Sequence, residues 1–324
     1  FRLLKDVFIW FYWYPFRVLV QMLPLKAVYF IGDIGGVFLY GISKKRRELL
    51  RRVIPLVIKD DKPDPRIFKT VAKRALRLFC KNEMELFLYP KLNSSGIKNM
   101  IRLEGSNYLE HALKKGKGVM LFFAHFGANQ MVMPSIGYRG YKMNQMSAPS
   151  TVWKEKLPNK KFTRMSEKGL ELRWTFELSL PVKHINIFGS MKKAFMCLKR
   201  NEVLGIAMDG GGGSKRVPVD FLGKKALFST GAIEIAMRTG CGVLPTFIVR
   251  GKGGRQTMII EPPLSIMTGC DNAVEFNTSA FVKRLEEYIY RYPCHYLNFL
   301  ALRTFMEEQG DSPFFVKGDE RKLP

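Results

Sequence analysis

Histidine is scarce in this chain, four residues in 324, and acid is scarce relative to base, 28 Asp plus Glu against 53 Lys plus Arg. The shortage of acid leaves a formal charge of +25. That excess belongs on the surface, because Lys and Arg are almost never buried unpaired, and it calls for nucleic acid, an anionic membrane or an acidic protein as partner. The five cysteines (Cys80, Cys197, Cys241, Cys270, Cys294) form no CxxC pair and no cluster with histidine. A disulfide framework and a metal site are therefore not expected, and free thiols in a reducing compartment are. No G-x-S-x-G elbow occurs, which argues against a hydrolase of that class. "GGGGSK" (210–215) puts serine before lysine, whereas a phosphate loop needs the reverse, so it reads as a flexible glycine loop. Nucleic-acid binding rests on charge alone, without a recognition motif or an interleaved aromatic-basic repeat, and is not expected.

What is present is a folded chain. Hydrophobic residues make up 47% and aromatics 13%, and the length suits one large α/β domain or two smaller ones. The first 43 residues concentrate aromatics: "VFIWFYWYPF" (7–16) and "VLVQMLPL" (18–25) flank Arg17, and "IGGVFLYGIS" (34–43) runs into "KKRRELLRR" (44–52). No uncharged run here reaches the ~18 residues of a spanning helix. Rings flanked by cations suit the membrane interface; a buried helical hairpin and a spanning helix are the competing readings. The segment shows no small-residue cleavage site of a signal peptide.

"KDDKPDP" (59–65) reads as a linker. It separates a membrane-proximal helical segment (1–58) from an α/β domain (59–310), with a loose tail beyond (311–324). Inside the domain, apolar spacing after the linker predicts a long helix, and "NYLEHALKKGKG" (107–118) a short one that leaves His111 on the surface. Helices at 190–202, 231–240 and 273–293, the last taken as terminal, alternate with strands at 119–124, 203–208, 242–250 and 255–263. Near-continuous apolar strands between helices imply an α/β fold with a mostly parallel central sheet flanked by helices. Ligands then meet the carboxyl ends of the strands.

Two polar residues fall at such ends. His125 follows "VMLFFA" (119–124), and Asp209 ends "VLGIAMD" (203–209). His184 and His295 lie in "PVKHINIF" and "YPCHYLNF" and read as packing or surface residues.

"GVMLFFAHFGANQ", the block "VLGIAMDGGGGSKRVPVDFLGKKALFSTGAIEIAMRTGCGVLPTFIVR" and "LEEYIYRYPCHYLNF" stand in one order along most of the chain. In that order and spacing the sequence resembles the lysophospholipid acyltransferase superfamily, and within it the bacterial lipid A late (lauroyl/myristoyl) acyltransferases. The resemblance implies transfer of a fatty acyl chain from a thioester donor, acyl carrier protein or coenzyme A, to a hydroxyl or amine of a lipid such as a lipid A-type glycolipid. It implies His125 as general base, worth on the order of 10²–10⁴ in rate. It implies no cofactor beyond the co-substrate thioester, and a peripheral or monotopic place on the cytoplasmic face of the bacterial inner membrane. The anionic leaflet and the acidic carrier protein would then receive the positive charge.

Where the family has Glu or Asp five residues after the histidine, this chain has Gln130. Its carbonyl can accept from the imidazole N–H, but it supplies no charge to stabilise imidazolium. Three readings stand side by side: a deliberate Glu-to-Gln exchange, an enzyme that draws its charge from Asp209 or another acid, and a lipid-binding relative without catalysis. The family's D-x-D-x-G block survives only as Asp209 and Gly213, with Gly211 at the second acid. The expected strand–turn–helix geometry offers the N–H groups of Gly127 and Ala128 to an oxyanion. Arg164, Asp209, Lys215 and Arg216 are the candidates for contact with the acceptor or a phosphate.

Overall fold

The computed structural model describes residues 2–59, 64–152, 162–213 and 215–316. Most of the expected linker, Ser214 of the glycine loop and the last eight residues lie outside the described residues.

Apolar runs that strands can bury on both faces build the centre. Strand β1 (Ile101–Glu104) is followed by β2 (Val119–Phe123), β3 (Met143–Ser147), β4 (Val182–Asn186), β5 (Val203–Ala207), β6 (Arg216–Phe221), β7 (Lys224–Ser229), β8 (Gly242–Arg250) and β9 (Gln256–Ile260). Seven of them form one sheet in the order β1-β9-β8-β2-β5-β3-β4. All neighbours pair parallel except β8 with β9, so β9 and β1 run opposite to the other five. Every residue of β2 is buried, as expected of a parallel strand covered by helices on both sides. The expected α/β class with a mostly parallel sheet is the observed one.

The helices sort by face. Met120, Phe122 and Ala124 point into a core shared with α4 (Lys44–Ile58), α10 (Lys192–Lys199), α11 (Gly231–Thr239), α12 (Ala273–Arg291) and α13 (Leu297–Glu308). Val119, Leu121 and Phe123 point the other way, against α6 (Ser94–Met100), α7 (Ser106–Lys114), α8 (Val132–Gly137), α9 (Arg164–Leu178) and the N-terminal helices. The long α5 (Pro65–Leu88) serves both cores. Asp64 caps it by accepting from Arg66 N–H at 2.6 Å, and Pro65 occupies the first turn where no N–H is needed.

Of the N-terminal helices, α1 (Arg2–Phe11) has no buried residue, whereas α2 (Arg17–Met22) and α3 (Leu25–Ile42) bury one face and expose the other. Gly32 and Gly36 of α3 lie directly on α5; a Cβ on Gly36 would stand 2.4 Å from Arg77 Cα. Asp33 pairs with Lys81 at 2.8 Å across the same seam. On the opposite face Phe30, Ile34, Phe38 and Ile42 form an exposed stripe at four-residue spacing. With 18 residues and mean hydropathy 1.4, α3 is long and apolar enough to cross a membrane by length and composition. The count of uncharged residues had stopped at Lys26 and Asp33, which the helix includes.

Strands β6 and β7 form a hairpin whose two-residue turn, Leu222 and Gly223, has φ of 52° and 75°, the left-handed pair that suits the strand twist. The chain beyond Gly310 is not loose where it is described. Phe314 is buried against Phe221 and Phe228, and residue 315 bridges to Ala226. Nor is α12 terminal, since α13 follows and packs on α4.

Candidate active site

The register of the two central strands assembles the site. Phe123 of β2 is level with Ala207 of β5, so the residues two beyond each strand end, His125 and Asp209, come face to face at the carboxyl edge of the sheet. His125 Nδ1 lies 2.8 Å from Asp209 Oδ1, and the His125 backbone N–H donates to Oδ2 at 2.8 Å. The Tyr296 hydroxyl donates to the same Oδ2 at 3.0 Å. Burial and the adjacent carboxylate push the Tyr296 phenol far above its ordinary pKa, so it stays a donor. The Asp209 side chain is fully buried and has three donors around it, which compensates the cost of an ion in the interior.

A carboxylate on Nδ1 fixes the tautomer: Nδ1 carries the proton and Nε2 presents a lone pair. The ring stacks on Phe299, 4.6 Å between centroids and 5° from parallel. Its side chain is 41% exposed and faces a cavity of about 530 Å³. The lining is mostly apolar, with Phe123, Met133, Met146, Met208, Phe299 and Met306 among its walls. Such a site can take a proton from a hydroxyl or amine at Nε2 and hold the imidazolium that results.

The turn that follows orients His125. Gly127 has φ of 62°, and a Cβ there would stand 1.9 Å from the Ile248 carbonyl oxygen, so only glycine passes. Its N–H donates to His295 O at 3.0 Å, which removes it as the expected oxyanion donor. Ala128 is buried within the core, at 1% exposure, and the helix expected to start the oxyanion site is a 3₁₀ turn at Asn129–Met131 ahead of the short α8.

Gln130 departs from its expected place at the imidazole. It lines the cavity, but its amide donates to the backbone oxygen of Asn82. Asn82 in turn donates to Gly127 O at 2.7 Å and accepts from Arg250 at 3.0 Å. Gln130 thus belongs to the frame that holds the turn, and an amide is required because it faces a carbonyl. Beneath it His295 is half-buried and accepts from Arg250 N–H at 3.0 Å.

The candidates for phosphate contact separate. Asp209 is enclosed and negative, so it cannot receive an anion. Arg216 donates to Gly211 O at 3.1 Å and braces the glycine loop; Lys215 is exposed. Arg164 is exposed at the start of α9 and is not among the residues that line the cavity. Arg303 was not anticipated. It lines the cavity beside Gly211, where a Cβ would lie 3.0 Å from its Nη1, and it pairs with Asp311 at 3.1 Å. Tyr296, Phe299 and Arg303 share a helical spacing in "YLNFLALR" (296–303), a signal that a facing stripe was there to be read. Among the described residues no group of three or more His, Cys, Asp or Glu could hold a metal ion.

Residues 1–303 match the family model described as bacterial lipid A biosynthesis acyltransferase. The chain belongs to that family. Among solved structures it is similar to the 1-acyl-sn-glycerophosphate (LPA) acyltransferase PlsC from Thermotoga maritima, at 14% identity and a TM-score of 0.35, over 75% of this chain and 94% of that one. No curated protein matches. Family membership makes the chain a lipid acyltransferase by kind, with an α/β sheet that carries its histidine at a strand end.

Proposed function

We propose that the protein transfers a fatty acyl chain from a thioester donor, acyl carrier protein or coenzyme A, to a hydroxyl or amine of a lipid acceptor, with His125 as general base and Asp209 as its charged partner. The observation that carries this reading is the His125–Asp209 contact at 2.8 Å on the wall of a largely apolar cavity. The base removes the acceptor's proton as oxygen or nitrogen attacks the thioester carbonyl. The tetrahedral intermediate then expels the thiolate, which leaves with the proton from the imidazolium. Asp209 stays ionised and stabilises the imidazolium between these steps. Gln130 was the reason to read the chain as a non-catalytic relative; the buried carboxylate on the ring supports the catalytic reading instead.

A place at a membrane is part of the same proposal. Leu3, Leu4, Phe8, Trp10, Phe30 and Phe38 are each at least half exposed, and large apolar side chains left exposed in such number suit a membrane or partner surface. Lys44, Lys45, Arg51 and Arg52 continue from it and suit anionic headgroups. The test is mass spectrometry of lipids from cells with and without the gene. One lipid should differ by the mass of one acyl group, and His125→Ala should fail to restore it; identical lipid profiles would count against the proposal.

A further inference from the structure

The end of the cavity beneath β3 gathers hydrogen-bond acceptors. Gln145 is 5% exposed and lines the cavity. Its NH₂ is spent on Met146 O at 2.8 Å, which fixes the orientation of the amide, and its Oε1 has no partner. It leans across Gly205 of β5, where a Cβ would stand 2.5 Å from that oxygen; glycine there makes the room. Two residues on, and on the same face, Ser147 Oγ lies 2.9 Å from His184 Nδ1. His184 Nε2 faces the Glu177 carbonyl at 3.2 Å, and a carbonyl can only accept. Nε2 therefore carries the ring proton, Nδ1 takes the serine proton, and Ser147 turns lone pairs to the cavity. Burial depresses the pKa of His184 and keeps it neutral.

Glu177 adds a carboxyl group. Glu177 and Arg173 line the same cavity; the carboxyl meets Arg173 at 3.8 Å, while Glu83 holds that guanidinium at 3.0 and 3.2 Å. One carboxylate is left in excess. Burial pushes the Glu177 carboxyl up to about 7, against the pull of Arg173, so near neutral pH it is partly ionised and a cation bound beside it draws it to the charged form.

Among the described residues the cation beside these three acceptors is Arg173, and Glu83 already holds it, so the three favour a ligand that donates. We propose that this end of the cavity binds the primary ammonium of the acceptor lipid's headgroup, through Gln145 Oε1, Ser147 Oγ and the Glu177 carboxylate. This rests on the acyl-transfer reading and names the acceptor's class. Strand β3 stands two strand spacings from β2, which carries His125, so the ammonium sits roughly 10 Å from the base. It anchors the headgroup, and a different hydroxyl or amine of the same molecule is acylated.

The test uses the full chain in nonionic detergent and two probes of equal length, n-octylammonium and n-octanol, with binding measured by calorimetry. The ammonium should bind at least about tenfold more tightly, as a charge-assisted hydrogen bond gives. Glu177→Gln should reduce that preference to about threefold or less. Because Glu177 also meets Arg173, Ser147→Ala, which disturbs no ion pair, provides the second variant and should lower the preference too. Loss of the preference in either variant supports the assignment. Equal affinities in the unaltered protein, or a preference that both variants leave intact, overturn it. Binding needs no turnover, so failure here is distinguishable from failure of acyl transfer.

Discussion

Replacement of Asp209 by asparagine changes one charge and almost no volume, and the site dictates how the amide must sit. Oδ2 receives two donors, His125 N–H at 2.8 Å and the Tyr296 hydroxyl at 3.0 Å. The new carbonyl oxygen has to occupy that place, which puts the NH₂ where Oδ1 stood, 2.8 Å from His125 Nδ1. An NH₂ only donates, so Nδ1 must accept and the ring proton moves to Nε2, the atom on the cavity side. A ring protonated there cannot take the acceptor's proton. The same exchange in a serine protease triad lowers kcat by about 10⁴, and a loss on the order of 10³–10⁴ in kcat is expected here, with KM little changed. The assay is the initial rate of acyl transfer from a radiolabelled thioester, with thermal unfolding to show that the variant is folded. Retention of more than about a tenth of kcat, or a loss confined to KM, would refute the argument that Asp209 sets the tautomer.

Gln130→Glu should not raise turnover, since position 130 faces the Asn82 carbonyl and not the imidazole; an acceptor against an acceptor should cost roughly 1–3 kcal/mol of stability, read from denaturant melts. Gly36→Leu should undock α3 from α5, because its Cβ would meet the Arg77 backbone at 2.4 Å; a destabilisation of about 3 kcal/mol, seen as lower thermal stability, is expected. His295 gives a pH dependence. Burial first, then Arg250 and Arg74, lower its pKa from 6.5 to about 4. The unfolded chain therefore takes up a proton before the folded one, and stability present above pH 6.5 is lost as pH falls toward 4, by roughly 3 kcal/mol. His295→Gln keeps an acceptor for the Arg250 N–H and should flatten that slope; identical slopes in the two proteins would refute the assignment.

Much of the sheet was legible because β2, β5 and β8 are apolar runs with few alternatives. Strands β3, "MNQMS", and β4, "VKHIN", were missed. Their polar residues break the apolar pattern of a buried strand, and two of them, Gln145 and Ser147, line the cavity. The reversal of β9 left no mark in "QTMII", since an apolar strand reads alike in either direction. The hairpin turn at Leu222 and Gly223 was hidden within a block noted for its resemblance and not for its geometry.

By itself the sequence determined the local matters: an apolar strand that ends in His125, a glycine that lets the chain turn at once, and an excess of positive charge beside exposed aromatics. Which acid meets the histidine was decided only by tertiary structure. Gln130 is five residues away, but the left-handed step at Gly127 carries it to α5. Asp209 is 84 residues away, yet parallel pairing of β2 with β5 sets the two strand ends level. Sequence distance says nothing of that pairing, because the register that brings Asp209 to His125 is fixed by the burial of both strands along their whole length.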